Sequence, residues 1–155
     1  MMPFKSFSLK RSAGFLFLLL ISVALVGHVQ AEDLKIDAKL IWGTDDEKST
    51  NATHKVVDEA LVKELRKTFK WKNYFVINQQ TGVVPNRGTK QFQMSKQCVI
   101  EITELEGPKV EVKLIGEGKP VNKTIQTLSR GAFFTIGGES KNGCAWFVVV
   151  TQQMN

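Results

Sequence analysis

The chain is sparing with the residues that build metal and redox centres. It holds two cysteines and two histidines in 155 residues, has no CxxC pair, and beyond its N-terminal region keeps one histidine, His54. A zinc centre of the usual Cys/His kind therefore lacks its ligand set. Asp45, Asp46 and Glu47 are contiguous, whereas a calcium loop needs alternating oxygen ligands and a closing glutamate, so they read as loop solvation. No G-x-S-x-G, H-E-x-x-H, P-loop or dinucleotide glycine pattern occurs. His54 has no Cys, Ser or carboxylate partner in a motif, and a nucleophile–base pair is unsupported. No catalytic residue, metal or cofactor is assigned. Internal repeats, low-complexity tracts and a second domain boundary are also missing.

Strong charge is missing too, once the N-terminus is set apart. Lys5, Lys10 and Arg11 precede an apolar run, Phe15 to Val26, of about twelve residues, too short to span a bilayer. Val29 and Ala31 then occupy the minus-three and minus-one places of a cleavage site. Residues 1–31 are expected to be a cleaved secretory signal, with an uncleaved anchor as the alternative. Residues 32–155 are expected to form one domain, exported to the periplasm or beyond, with no transmembrane segment. Three of the 21 basic residues and none of the 15 acidic ones leave with the signal, so +6 becomes 18 minus 15, or +3. So mild an excess argues against a nucleic-acid partner.

In an exported chain the even pair Cys98 and Cys144 predicts a disulfide. Closing that loop would stabilise the fold by about 4 kcal/mol in the chain-entropy model. Two separately buried thiols are the alternative.

What is abundant is alternation. Leu34, Ile36, Ala38, Leu40 and Trp42 alternate with polar residues, the pattern of a half-buried strand. A polar stretch, Gly43 to Lys55, reads as a long loop available for motion or contact. Val57, Leu61, Leu65 and Phe69 recur every fourth residue and predict one amphipathic helix, acidic at its start and basic at its end. Seven further strands follow, at 74–81, 90–95, 98–105, 109–115, 121–127, 132–136 and 144–151. Turn signals separate them, among them Pro85–Gly88, Gly116–Gly118 and Asn142-Gly143; Gly137-Gly138 reads as a turn pair. The predicted fold is mainly β with a single helix after the first strand: an antiparallel β-sandwich or small barrel of about seven to eight strands. The last strand, apolar on both faces, belongs in the interior of a sheet.

The stretch LRKTFKWKNYFVI mixes cations and aromatics. On one continuous helix Lys63, Arg66, Lys67 and Lys70 share a stripe opposite Leu61 and Leu65. With Trp71 and Lys72 they are the candidate binding residues, suited to anionic lipid headgroups or an acidic polymer. The plainer reading is a wet helix face running into a packed junction.

LKIDAKLIWGTDDEK, FKWKNYF, MSKQCVIEI and AWFVVV together resemble small exported bacterial proteins of an uncharacterised family. The resemblance implies an envelope or extracellular location and carries no activity, and it leaves the pairing of Cys98 open. Two functions are expected: a non-catalytic binding or interaction module, contacting an envelope protein, an anionic polymer or a lipid surface, or alternatively an envelope-glycan hydrolase using a carboxylate pair.

Overall fold

The computed structural model describes residues 33–139 and 145–153. The expected signal and its cleavage site, Cys144 and the Asn142-Gly143 turn lie outside them. The strand pattern is realised almost segment for segment as two antiparallel sheets. β1 (Leu34–Thr44), β2 (Lys55–Val56), β3 (Asn73–Val84), β8 (Phe133–Glu139) and β9 (Ala145–Gln152) form one sheet, in the order β2-β3-β1-β9-β8. β4 (Thr89–Gln93), β5 (Cys98–Glu104), β6 (Lys109–Gly116) and β7 (Lys119–Thr127) form the other, in sequence order. Neither sheet closes on itself, which makes the fold a sandwich.

Alternation explains the core. Leu34, Ile36, Ala38 and Leu40 project inward from β1, meeting Ile100 and Ile102 of β5 and Val112 and Leu114 of β6. The outward face of the second sheet carries paired charges, Glu101 with Lys113 at 2.7 Å and Glu111 with Lys123 at 2.9 Å, beside the exposed Ile125. Such exposed pairs add little stability and mark a solvated face. β9 is interior as expected. Val148 and Val150 enter the inter-sheet core, while Ala145, Phe147 and Val149 enter a second cluster on the opposite face.

That second cluster is a partial third layer, made by α1 (Glu59–Leu65) and the chain around it. Asp58 caps the helix, its carboxylate accepting from the Leu61 N–H at 2.9 Å. The helix is shorter than the apolar period predicts. Val57 at one end donates its N–H to the Tyr74 carbonyl, and Phe69 at the other donates to the Leu65 carbonyl. Both still pack with Leu61 and Leu65, so the fourfold spacing is obeyed by side chains whose backbone has left the helix.

Local features shape the end of the sandwich where β1 finishes. Asn78 stands opposite Leu40 and Val76 opposite Ile41, leaving Ile77 as an extra residue in β3. This bulge lets Ile77 join the inter-sheet core. Asn78 then donates from Nδ2 to the Met94 carbonyl at 2.9 Å, and Gln80 from Nε2 to the Gln93 carbonyl at 2.6 Å. These bonds tie β3 to the β4 edge and close one side of the sandwich. Gly137 and Gly138, expected to turn, are strand residues of β8. Gly137 lies so close to β9 that a Cβ there would stand 2.6 Å from the Phe147 backbone.

The β6–β7 turn carries Glu117 at φ 51° and Gly118 at φ 76°. Two positive φ values in a two-residue hairpin turn are the type I′ pattern, which favours Asn-Gly. Glutamate is an unfavourable choice there. Glu117→Asn is expected to raise unfolding stability by about 1 kcal/mol, read as a higher denaturant midpoint with an unchanged slope; a lower midpoint would show that the carboxylate stabilises the turn.

Candidate functional site

The two sheets do not pack to the very end. Where β1 and β9 meet, a cleft of about 590 Å³ opens between them and the second sheet. Its aromatic wall is Trp42 of β1 and Trp146 of β9, directly opposed in the register. Residues so opposed point to the same face of a sheet, and here that face is the inter-sheet side, because Trp146 packs against the inter-sheet core. Both rings are half-buried. Trp42 leans on Phe75, with ring centroids 5.9 Å apart. Leu40, Ile77 and Cys98 continue the apolar lining, and Val121 borders it from β7.

The polar groups come from three loops. Ser95 and Gln97 belong to the β4–β5 turn and Glu117 to the β6–β7 turn, and the two turns are joined by the Glu117 N–H donating to the Gln97 carbonyl at 2.8 Å. Thr50 and His54 come from the long polar loop. That loop is well fastened. Asn51 accepts from the Thr53 N–H through its side chain and from the His54 N–H through its carbonyl, while Asp45 and Asp46 accept from Lys72 and Asn73. His54 Nδ1 lies 2.6 Å from Ser49 Oγ. The sequence reading missed this serine–histidine contact, five residues apart, because no motif marks it. Ser49 is not among the cleft-lining residues, so the contact fixes the imidazole and does not present a hydroxyl to the cleft.

Cys98 forms part of the cleft floor and is a free, buried thiol. The expected bridge is thus not made by Cys98, whose side chain turns inward with only 5 % of its surface exposed; Cys144 lies outside the described residues. Burial pushes the thiol up to about 11 from its ordinary 9.0. The fold keeps the neutral thiol, so this contribution to stability is complete below about pH 9 and is lost as pH rises through about 11. Alkylation followed at the Cys98 peptide should be far slower in the folded than in the unfolded protein at neutral pH. Equal rates would contradict the burial.

The candidate cationic residues are split up. Lys63, Arg66 and Lys72 line one groove of about 530 Å³ beside Tyr74 and Phe75, but Glu47 and Glu59 line it as well. Arg66 is occupied, donating from Nη2 to the Lys72 carbonyl at 2.6 Å. Lys67 is paired with Glu64 at 2.7 Å. Lys70 lies beyond the helix end and is exposed. Trp71 is 6 % exposed and belongs to the third-layer core, stacked with Phe69. The continuous stripe is therefore not formed, because the helix ends at Leu65 and the chain turns Trp71 inward.

Among the carboxylates, Glu101 has its carboxyl held below the ordinary range by hydrogen bonds from Lys113 and Gln91. That is the direction opposite to a general acid's. No group of three or more His, Cys, Asp or Glu among the described residues could hold a metal ion. None of their helices is long and apolar enough to cross a membrane.

Fold and site together define an antiparallel β-sandwich with a partly aromatic cleft at one end. No protein-family model, curated protein or solved structure matches the chain.

Proposed function

We propose that this protein is a non-catalytic binding module that holds a small molecule with a flat apolar body in the cleft between its sheets. One observation carries the reading. Trp42 and Trp146, opposed on neighbouring strands and each partly exposed, wall a cleft at one end of the inter-sheet core. Its volume lies within the range of about 300 to 1,000 Å³ typical of small-molecule sites, which combine apolar walls with a few polar groups. The polar loops at the mouth supply donors and acceptors for a ligand's edge. Export to a cell envelope, as the N-terminal pattern suggests, would make the ligand an extracytoplasmic one.

The test is a titration with the neutral fluorescent probe N-phenylnaphthylamine. Saturable one-to-one binding is expected, weakened about tenfold or more by Trp146→Ala, since a buried aromatic contact contributes roughly 1–2 kcal/mol with its area. Trp146→Phe should restore most of the affinity, and a thermal melt should show the variants folded. Binding that ignores both Trp42→Ala and Trp146→Ala would overturn the assignment.

A second reading, contact with an envelope protein, an anionic polymer or a lipid surface, is favoured by the shared groove of Lys63, Arg66 and Lys72. Glu47 and Glu59 in the same groove offset most of that charge, which ranks it second. The glycan-hydrolase alternative asks for a carboxyl raised within a cleft, and the displacement at Glu101 runs the other way.

A further inference from the structure

We propose that the cleft selects ligands carrying a positive charge, with the Glu117 carboxylate as counter-ion and the faces of Trp42 and Trp146 as the platform beside it. The inference rests on the binding role argued above and adds the chemical class: an amphiphilic organic cation, an aromatic or alkyl body ending in an ammonium group.

Charge is the first support. Beyond the expected signal the chain has 18 basic against 15 acidic residues, yet among the described residues no lysine or arginine lines the cleft, and the ionisable side chains that do, besides the thiol, are His54 and Glu117. Lys96, in the β4–β5 turn, and Lys119, the first residue of β7, flank the cleft in sequence; like Glu117 they are exposed, but unlike it neither lines the cleft. Among the described lining residues the acidic one is thus Glu117, with no basic side chain beside it other than His54.

The backbone gives an independent support. Glu117 sits at φ 51° in a turn that favours asparagine or glycine at that place. A non-glycine residue held there against its preference points to a use for its side chain. The turn itself does not need the carboxylate, which makes no hydrogen bond or ion pair among the described residues. The main chain of the same residue, however, is anchored to the β4–β5 turn at 2.8 Å. The carboxylate is therefore presented from a fixed point and left free for an incoming partner.

The aromatic platform is the third. A cation placed over an indole face is attracted by the ring's negative quadrupole, and ammonium groups are the usual beneficiaries. A carboxylate close by adds a charge-assisted hydrogen bond. An anionic ligand of the same shape would meet the Glu117 charge and find no lysine or arginine among the described lining residues.

Three probes of matched size separate the possibilities: naphthylmethylamine, naphthylmethanol and naphthoate, titrated calorimetrically into the intact protein. The amine is expected to bind about tenfold tighter than the alcohol, and naphthoate more weakly than either. Glu117→Gln should weaken the amine about tenfold more than it weakens the alcohol, abolishing the preference, while Glu117→Asp should keep the preference for the amine. If the wild type binds the alcohol but holds the amine no better, or prefers naphthoate, charge selection is overturned and the cleft still stands as a binding site. If Glu117→Gln weakens amine and alcohol alike, the carboxylate shapes the site without selecting charge, which also overturns the proposal. If no probe binds, both the cleft's binding role and its selectivity fail together.

Discussion

Phe147→Ala is expected to cost about 4 kcal/mol of unfolding free energy, the middle of the range for truncating a buried phenylalanine. The ring is 2 % exposed on the face of β9 that meets the third layer. It stacks on Phe69 with centroids 4.6 Å apart and an interplanar angle of 14°, and meets Tyr74 edge-on at 6.3 Å. Phe69 in turn stacks on Trp71. Removing Phe147 leaves both partners facing a void that neither the sheet nor a seven-residue helix can fill. A melting temperature lower by about 15 °C should accompany the loss. A cost under about 1 kcal/mol would mean that the outer layer is not held to the sheet through this ring.

Gly137→Ala is expected to be the next largest, about 3 kcal/mol, at the upper end of what overpacking costs. The added methyl would stand 2.6 Å from the Phe147 Cα and Cβ and from the Trp146 carbonyl oxygen. Those atoms belong to, or sit directly on, the backbone of the paired strand, so no rotamer change relieves the clash and β8 must shift away from β9. Combining the two substitutions separates this mechanism from ordinary side-chain crowding. Phe147→Ala removes the ring but leaves Cα, Cβ and the carbonyl in place. The double variant should therefore be destabilised by about the sum of the single changes, within the few tenths of a kcal/mol typical of uncoupled effects. Marked rescue would show that the ring was the obstacle. Because β8 pairs with the strand that carries Trp146, Gly137→Ala should also weaken probe binding in the cleft.

Strands were legible because burial on one face writes a period of two into the sequence, and the eight longer strands carry it or an apolar run. β2 was not: Lys55 and Val56 are both exposed and form a strand only by pairing with Val76 and Phe75. The helix was legible in type and too long in extent. Its apolar period continues through Val57 and Phe69, which reach the same cluster from outside the helix, and sequence spacing does not distinguish the two routes. The same error produced the basic stripe, since Lys70 lines up with Lys63 only if the helix runs on.

The candidate site was the least legible part. Trp42 closes one alternating run and Trp146 opens another, and each alone reads as a strand-end aromatic. Their opposition depends on the register between β1 and β9, set by packing across the whole sheet. Glu117 carried one usable signal, a glutamate before glycine at the centre of a short turn between two strands, where asparagine is the expected residue.

The three tryptophans of the chain make the central claim directly observable, because each gives a separate indole N–H signal in a two-dimensional nitrogen–proton spectrum. Titrating the protein with neutral N-phenylnaphthylamine should move the signals of Trp42 and Trp146 together, saturating at one equivalent, while Trp71, buried in the third layer, stays where it is. If the Trp71 signal moves and the other two remain still, the ligand enters beneath the helix, and the cleft between the sheets is not the binding site.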